Sequence, residues 1–121
     1  MHLLNIKPLS VNDAWQGRRF KTPEYKRYAR DIMYLLPKFE LPLAPYALTL
    51  EFGVGPTSDW DNPIKPFQDI MQNKYGFNDR DVEAALVRKK TVKKGEEYIY
   101  WNMITLDEGL CDRIDKSFFS K

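Results

Sequence analysis

Cysteine and histidine are almost missing from this chain: Cys111 and His2 are the sole examples of each among 121 residues. One cysteine permits no intramolecular disulfide, which points to a reducing compartment. One cysteine and one histidine cannot assemble a tetrahedral structural zinc site from its usual ligands. A serine–histidine or cysteine–histidine pair would have to draw on His2 at the terminus, so nucleophilic triad chemistry is set aside. No apolar run approaches the roughly 18 residues of a membrane span, and no signal-peptide pattern opens the chain. A Gly-x-x-x-x-Gly-Lys-[Ser/Thr] phosphate loop is missing as well. The expectation is a soluble cytoplasmic protein with no membrane partner.

Charge is plentiful and unevenly placed. The formal net charge is only +2, yet charged residues make up 30% of the chain and hydrophobic ones 43%, the balance of a globular protein. Residues 1–121 read as a single domain, long enough to bury a core without staples. Arg18, Arg19, Lys21, Lys26, Arg27 and Arg30 form one basic stretch, and Arg88, Lys89, Lys90, Lys93 and Lys94 a second. Acids collect between Asp59 and Glu83. Positive flanks around a negative centre suit a protein that holds phosphates while concentrating metal in the middle. Either basic run by itself is equally a solvated face.

Periodicity sketches the elements. Residues 2–6 suggest a short strand, and 7–20 an extended loop carrying basic groups. Thr22 suits an N-cap with Pro23 at the first helical position. Tyr25, Tyr28, Ala29, Ile32, Met33 and Leu36 then fall at helical spacing, predicting an amphipathic helix over 23–36. Tyr46, Leu48, Leu50 and Phe52 alternate with Ala47, Thr49 and Glu51, a strand with one buried face, stopped by Gly53, Gly55 and Pro56. Asn62 reads as the cap of a second helix, with Pro63 at its first position, Ile64, Phe67, Ile70 and Met71 inward, and Gly76 as its stop. Residues 81–93 and 97–106 read as a hairpin around Lys94-Gly95-Glu96. A C-terminal helix over 107–119 would turn Leu110, Ile114 and Phe118 to one side. The order of elements predicts an α+β fold, a mixed sheet of about four strands with two to three helices.

The chemistry concentrates in Asp59-Trp60-Asp61-Asn62-Pro63-Ile64-Lys65 through Asp69, then Asn78-Asp79-Arg80-Asp81. Asp59 and Asp61 share one face of an extended segment, and Asp79 and Asp81 repeat the spacing. Gathered carboxylates repel one another, and a divalent cation removes that cost. Hard oxygen ligands on short stems suit Mg²⁺ or Mn²⁺. If the intervening helix packs across the sheet, two strand ends meet and bring Asp59, Asp61 and Asp79 together. Lys65, one turn after Asp61, would offer its ammonium to a scissile phosphate. The same Asp-x-Asp-Asn also suits plain turn chemistry, with side chains capping the backbone. A calcium EF-hand beginning at Asp59 is excluded, since Ile64 and Ile70 stand where glycine and glutamate are required. Asp69 pairs with Lys65 at helical spacing and ranks below the other three acids. Trp60 suits either packing or base stacking.

Asp59-x-Asp61-Asn62-x-x-Lys65-x-x-x-Asp69 followed by Asn78-Asp79-x-x-Val82 resembles the signature of the RusA family of Holliday junction resolvases. Lys7 to Asn12 and Gly17 to Tyr25 resemble that family's N-terminal region, and the match spans about residues 5 to 92. Asp81 stands where many members have glutamine, Ile70 replaces a frequent alanine, and the last 30 residues match only in general pattern. The resemblance implies a homodimeric, Mg²⁺-dependent endonuclease, often phage-encoded, acting on four-way DNA junctions in a bacterial cytoplasm. By position it implies Asp59, Asp61 and Asp79 as metal-binding catalytic carboxylates and Lys65 as the catalytic lysine. A twofold dimer would present two identical sites to the two equivalent strands of a junction. Arg18, Arg19, Lys21, Arg88, Lys89 and Lys90 would contact DNA phosphates. The competing expectations are a branched-DNA-binding or regulatory protein of the same fold that cuts nothing, and a nuclease for flaps.

Overall fold

The apolar alternation through residues 46–54 makes one strand the axis of the molecule. The computed structural model describes residues 2–16 and 20–119. Its elements are β1 (His2–Leu4), α1 (Val11–Ala14), β2 (Trp15–Gln16), β3 (Phe20–Lys21), α2 (Pro23–Leu35), β4 (Tyr46–Val54), α3 (Ile64–Tyr75), β5 (Val82–Thr91), β6 (Tyr98–Thr105) and α4 (Glu108–Ile114). A 3₁₀ turn at Asp79–Asp81 leads into β5, and a π turn at Asp115–Phe119 prolongs α4. The main sheet runs β1-β6-β4-β5, with β4 parallel to β5 and antiparallel to β6. This is the α+β, four-stranded mixed architecture expected. Among the described residues it carries four α-helices instead of two or three.

Two expectations about the sheet need correction. β4 does not have one buried face; every residue but Thr49 is buried, because strands flank it and both its faces are covered. It also runs through Gly53 to Val54 instead of stopping at the glycine. Strands β5 and β6 are not hairpin partners, since β4 lies between them. The turn at 93–96 does form, with Gly95 at φ 94° and the Glu96 amide donating to the Lys93 carbonyl at 2.9 Å. Turn chemistry sets a local reversal and does not choose strand neighbours. The most apolar strand takes the central position, where it buries most surface.

The helices largely follow their signals. Thr22 Oγ1 accepts the Tyr25 amide at 3.1 Å and caps α2, while its hydroxyl donates to the Asp13 carbonyl at 2.6 Å. That second bond ties α2 to a short α1 and the β2–β3 ribbon, which replace the extended loop expected over 7–20. Ser10 caps α1, a signal too short to compete with the prolines and charges around it. α3 begins at Ile64 with Pro63, not Asn62, in the cap position, and Gly76 ends it in the left-handed region at φ 75°.

Helices α2 and α3 cover one face of the sheet. Leu48, Leu50 and Phe52 of β4 and Ile99, Trp101 and Met103 of β6 pack there with Tyr28, Ile32, Phe67, Ile70 and Met71. Each such side chain contributes about 1.5–3 kcal/mol by leaving water. Over one end of the opposite face lies the C-terminal segment, forming with it an open groove of about 720 Å³ lined by Ala47, Leu86, Ile104, Leu110, Ile114 and Phe118 among others. The expected 107–119 helix forms, capped by Asp107 and finishing in the π turn, and Leu110, Ile114 and Phe118 all line this groove, with Phe118 still 68% exposed. Among the described residues no helix is long and apolar enough to cross a membrane.

Candidate active site

The parallel pairing of β4 with β5 fixes how the acidic groups are arranged. Tyr46 lies beside Val82 and Val54 beside Thr91, so the end of β4 and the start of β5 sit at opposite ends of the pair. Nine residues of strand separate them, roughly 26 Å at about 3.3 Å per residue. The two strand ends therefore do not meet as expected. Any approach of Asp79 to the acidic loop must be made by α3, which leads from the end of β4 towards the start of β5.

α3 does carry one predicted group in that direction. Lys65 Nζ is 2.9 Å from Asp69 Oδ1, one turn further along the helix towards the Asp79–Asp81 turn. The hydrogen bond it donates to Asp69 is the main reason the Lys65 ammonium is held above the ordinary lysine pKa. Partial desolvation opposes this, and the charges of Asp69 and Asp79 and the Tyr25 phenol reinforce it. Lys65 is thus a fixed cation, 58% exposed at its side chain, with Asp79 near enough to act on it. Asp69, ranked lowest of the acids on spacing, is its direct partner.

The Asp59–Asp61 loop presents two exposed carboxylates. Asn62 Nδ2 donates to Asp59 Oδ2 at 3.4 Å, so its side chain serves the loop instead of capping α3. The Asp61 carbonyl accepts the Ile64 amide at 3.1 Å, and the Asn62 carbonyl accepts the Val11 amide at 2.8 Å, docking the N-terminal segment on the loop. Lys89 reaches from β5 to donate to the Ser58 carbonyl at 2.5 Å. The loop is held from both sides while its acids face solvent. Among the described residues, no three carboxylate, histidine or cysteine groups gather closely enough to hold a metal ion between them. Mg²⁺ does not require such a cage: it keeps several waters and binds through one or two carboxylates together with substrate phosphates. Exposed Asp59 and Asp61 fit that donor chemistry.

The predicted basic residues separate into three groups. Arg18 and Arg19 lie outside the described residues. Lys21 joins the site: its Nζ donates to the Tyr25 hydroxyl at 3.2 Å and sits 4.3 Å from the Tyr25 ring centroid and 5.5 Å from that of Trp15. Strand alternation splits the second run, sending Lys89 to the helix side and Arg88 and Lys90 to the opposite face.

Sequence reasoning missed two features. Tyr25 reads as an ordinary inward position of an amphipathic helix, and only its spacing of four from Lys21 hints at more. Glu51 reads as an outward residue of β4, yet it is buried. Its carboxylate accepts Arg88 Nε at 2.5 Å and the Tyr98 hydroxyl at 2.7 Å. Burial alone would raise its pKa; the two donors, with the Arg88 and Lys90 charges, outweigh burial and hold it below the usual value.

Comparison with protein-family models and with curated proteins finds no match.

Proposed function

We propose that this protein is a Mg²⁺-dependent, structure-selective endodeoxyribonuclease that resolves four-way DNA junctions as a homodimer in a bacterial cytoplasm. The observation that carries the reading is the Lys65 ammonium, held by Asp69 at 2.9 Å and directly downstream of the exposed Asp59 and Asp61. The resemblance of these residues to the RusA signature supports it and supplies the junction as substrate. Mn²⁺ would serve in place of Mg²⁺ on the same oxygen donors.

Asp59 and Asp61 would hold the metal together with a substrate phosphate, Asp79 being a third ligand only by the family resemblance, and the bound ion would polarise the phosphate and activate water for attack on phosphorus. Lys65 places positive charge where negative charge grows on the phosphoryl oxygens. Asp69 keeps that ammonium from swinging away. Lys21, steadied over Tyr25 and Trp15, offers a cation to a neighbouring backbone phosphate. Lys89 steadies the loop through Ser58.

Cleavage of a synthetic four-way junction, compared with linear duplex and flap DNA, tests the reading. Mg²⁺-dependent nicking that spares the duplex and disappears in Asp61→Asn is expected. Binding without turnover would replace it with the non-catalytic branched-DNA-binding reading, and preference for flaps would reassign the substrate.

A further inference from the structure

The sheet face opposite α2 and α3 carries a second charged cluster, remote from the acidic loop in its chemistry. Register places Glu51, Arg88 and Tyr100 abreast across three strands, with Gly53, Lys90 and Tyr98 abreast in the next row. The two rows span about 10 Å from β5 to β6 at the usual strand separation. Tyr98 does not stand upright from the sheet. A β-carbon at position 53 would lie 2.3 Å from its Cε1 and 2.4 Å from its Cδ1, so the ring lies over the glycine. Its hydroxyl is anchored to Glu51 at 2.7 Å, and Tyr100 meets it edge-on with ring centroids 5.1 Å apart.

The cations are arranged around that ring. Arg88 is locked to the same Glu51 carboxylate, while its side chain stays 68% exposed. Lys90 is exposed beside Gly53. Glu51 cancels one of these charges, and the cluster keeps a net positive one. Arg88 and Tyr98 share one buried acceptor, which fixes a flat aromatic ring and a guanidinium side by side with little rotamer freedom left to lose.

A ring laid on a sheet, flanked by cations at the spacing of neighbouring strands, matches one kind of ligand well. Single-stranded nucleic acid offers an aromatic face at each base and a negative charge at each phosphate, and sheets of this layout bind it by stacking and charge together. We propose that this face is a binding platform for single-stranded nucleic acid, with bases stacking on Tyr98 and Tyr100 and phosphates meeting Lys90 and Arg88. The platform does not depend on the acidic loop cutting anything. Its occupant is an unpaired strand, whereas the acidic loop is read as acting on junction duplex.

The test uses the full chain in EDTA, so that cleavage plays no part. Anisotropy of a labelled oligothymidylate of about twelve nucleotides, and of the matching oligouridylate, measures affinity and tells DNA from RNA. Tyr98→Leu should weaken binding on the order of tenfold, Tyr98→Phe should keep most of it, and Lys90→Ala should lower the salt slope by about one contact. Because Tyr98→Leu also frees Glu51 and Arg88, a second measurement uses the unaltered protein: photocrosslinking to an oligonucleotide carrying 5-bromodeoxyuridine. Adducts on Tyr98 or Tyr100 support the platform. Adducts confined to other residues, no measurable binding to either oligonucleotide, or full affinity in folded Tyr98→Leu would overturn it.

Discussion

Replacing Gly53 with alanine should destabilise the protein, although the same change in an extended strand ordinarily helps. An alanine loses less backbone entropy on folding than glycine, which alone favours it by about 0.4–1 kcal/mol. At position 53 the added methyl would sit 2.3 Å from Tyr98 Cε1, more than 1 Å inside ordinary carbon contact at about 3.5 Å. Tyr98 cannot drift aside freely, because its hydroxyl holds Glu51 and burial keeps Glu51 from finding water instead. Forced repacking costs about 1–3 kcal/mol, and loss of one hydrogen bond to a charged acceptor about 1.5–3 kcal/mol. Gly53→Ala should therefore cost about 1.5–5.5 kcal/mol after the entropy gain is subtracted. In a Tyr98→Ala background the space is open, and the same change should be neutral or slightly stabilising. Urea denaturation of the four proteins gives a coupling energy, expected at about 2.5–6 kcal/mol. Equal costs in both backgrounds would show that Tyr98 does not cover Gly53.

Glu51 makes stability sensitive to acid. Its folded pKa lies below the ordinary 4.5, so the unfolded chain binds more protons between those values and stability falls as pH drops through that window. Melting temperatures followed below about pH 6 should decline less steeply for Glu51→Gln, and parallel declines would contradict the assignment. Asp69→Asn should remove the main support of the raised Lys65 pKa, bringing the alkaline limb of the pH–rate profile to lower pH and reducing turnover by about tenfold or more. An unmoved limb would show that Asp69 does not position Lys65. Leu50→Ala, at the centre of β4 with its side chain fully buried, should cost about 2–5 kcal/mol in denaturant titration, and a cost below 1 kcal/mol would place Leu50 outside the core.

Which parts of this molecule are legible in its sequence follows from the range of the forces involved. α2 and α3 are local objects: Thr22, Pro23 and Gly76 mark their limits, and Tyr28, Ile32, Phe67 and Ile70 mark their inner faces at a spacing any reader can count. Strand partners are not local. Nothing in Lys94-Gly95-Glu96 says that β4 will come between β5 and β6; that follows from how much apolar surface β4 buries when placed centrally. Glu51 shows the same limit, since alternation assigns it to solvent until Arg88, 37 residues away, and Tyr98, 47 away, arrive to satisfy it. At the candidate site the Lys65–Asp69 contact was legible from its spacing of four, while the contact between Lys21 and Tyr25 needed the folded chain to appear. Asn62 misled because a side-chain oxygen before a helix looks like a cap, whereas the amide of this one turns to Asp59.

The central claim is that the Asp59–Asp61 loop and Lys65 cut DNA at four-way junctions. Its most direct measurement is single-turnover cleavage of a junction labelled on each of its four strands in turn, with and without Mg²⁺, using the unaltered protein and Asp61→Asn. Paired nicks at symmetry-related positions in two opposing strands, dependent on Mg²⁺ and lost in the variant, are predicted. Tight junction binding with every strand intact in Mg²⁺ and Mn²⁺ alike would contradict the claim.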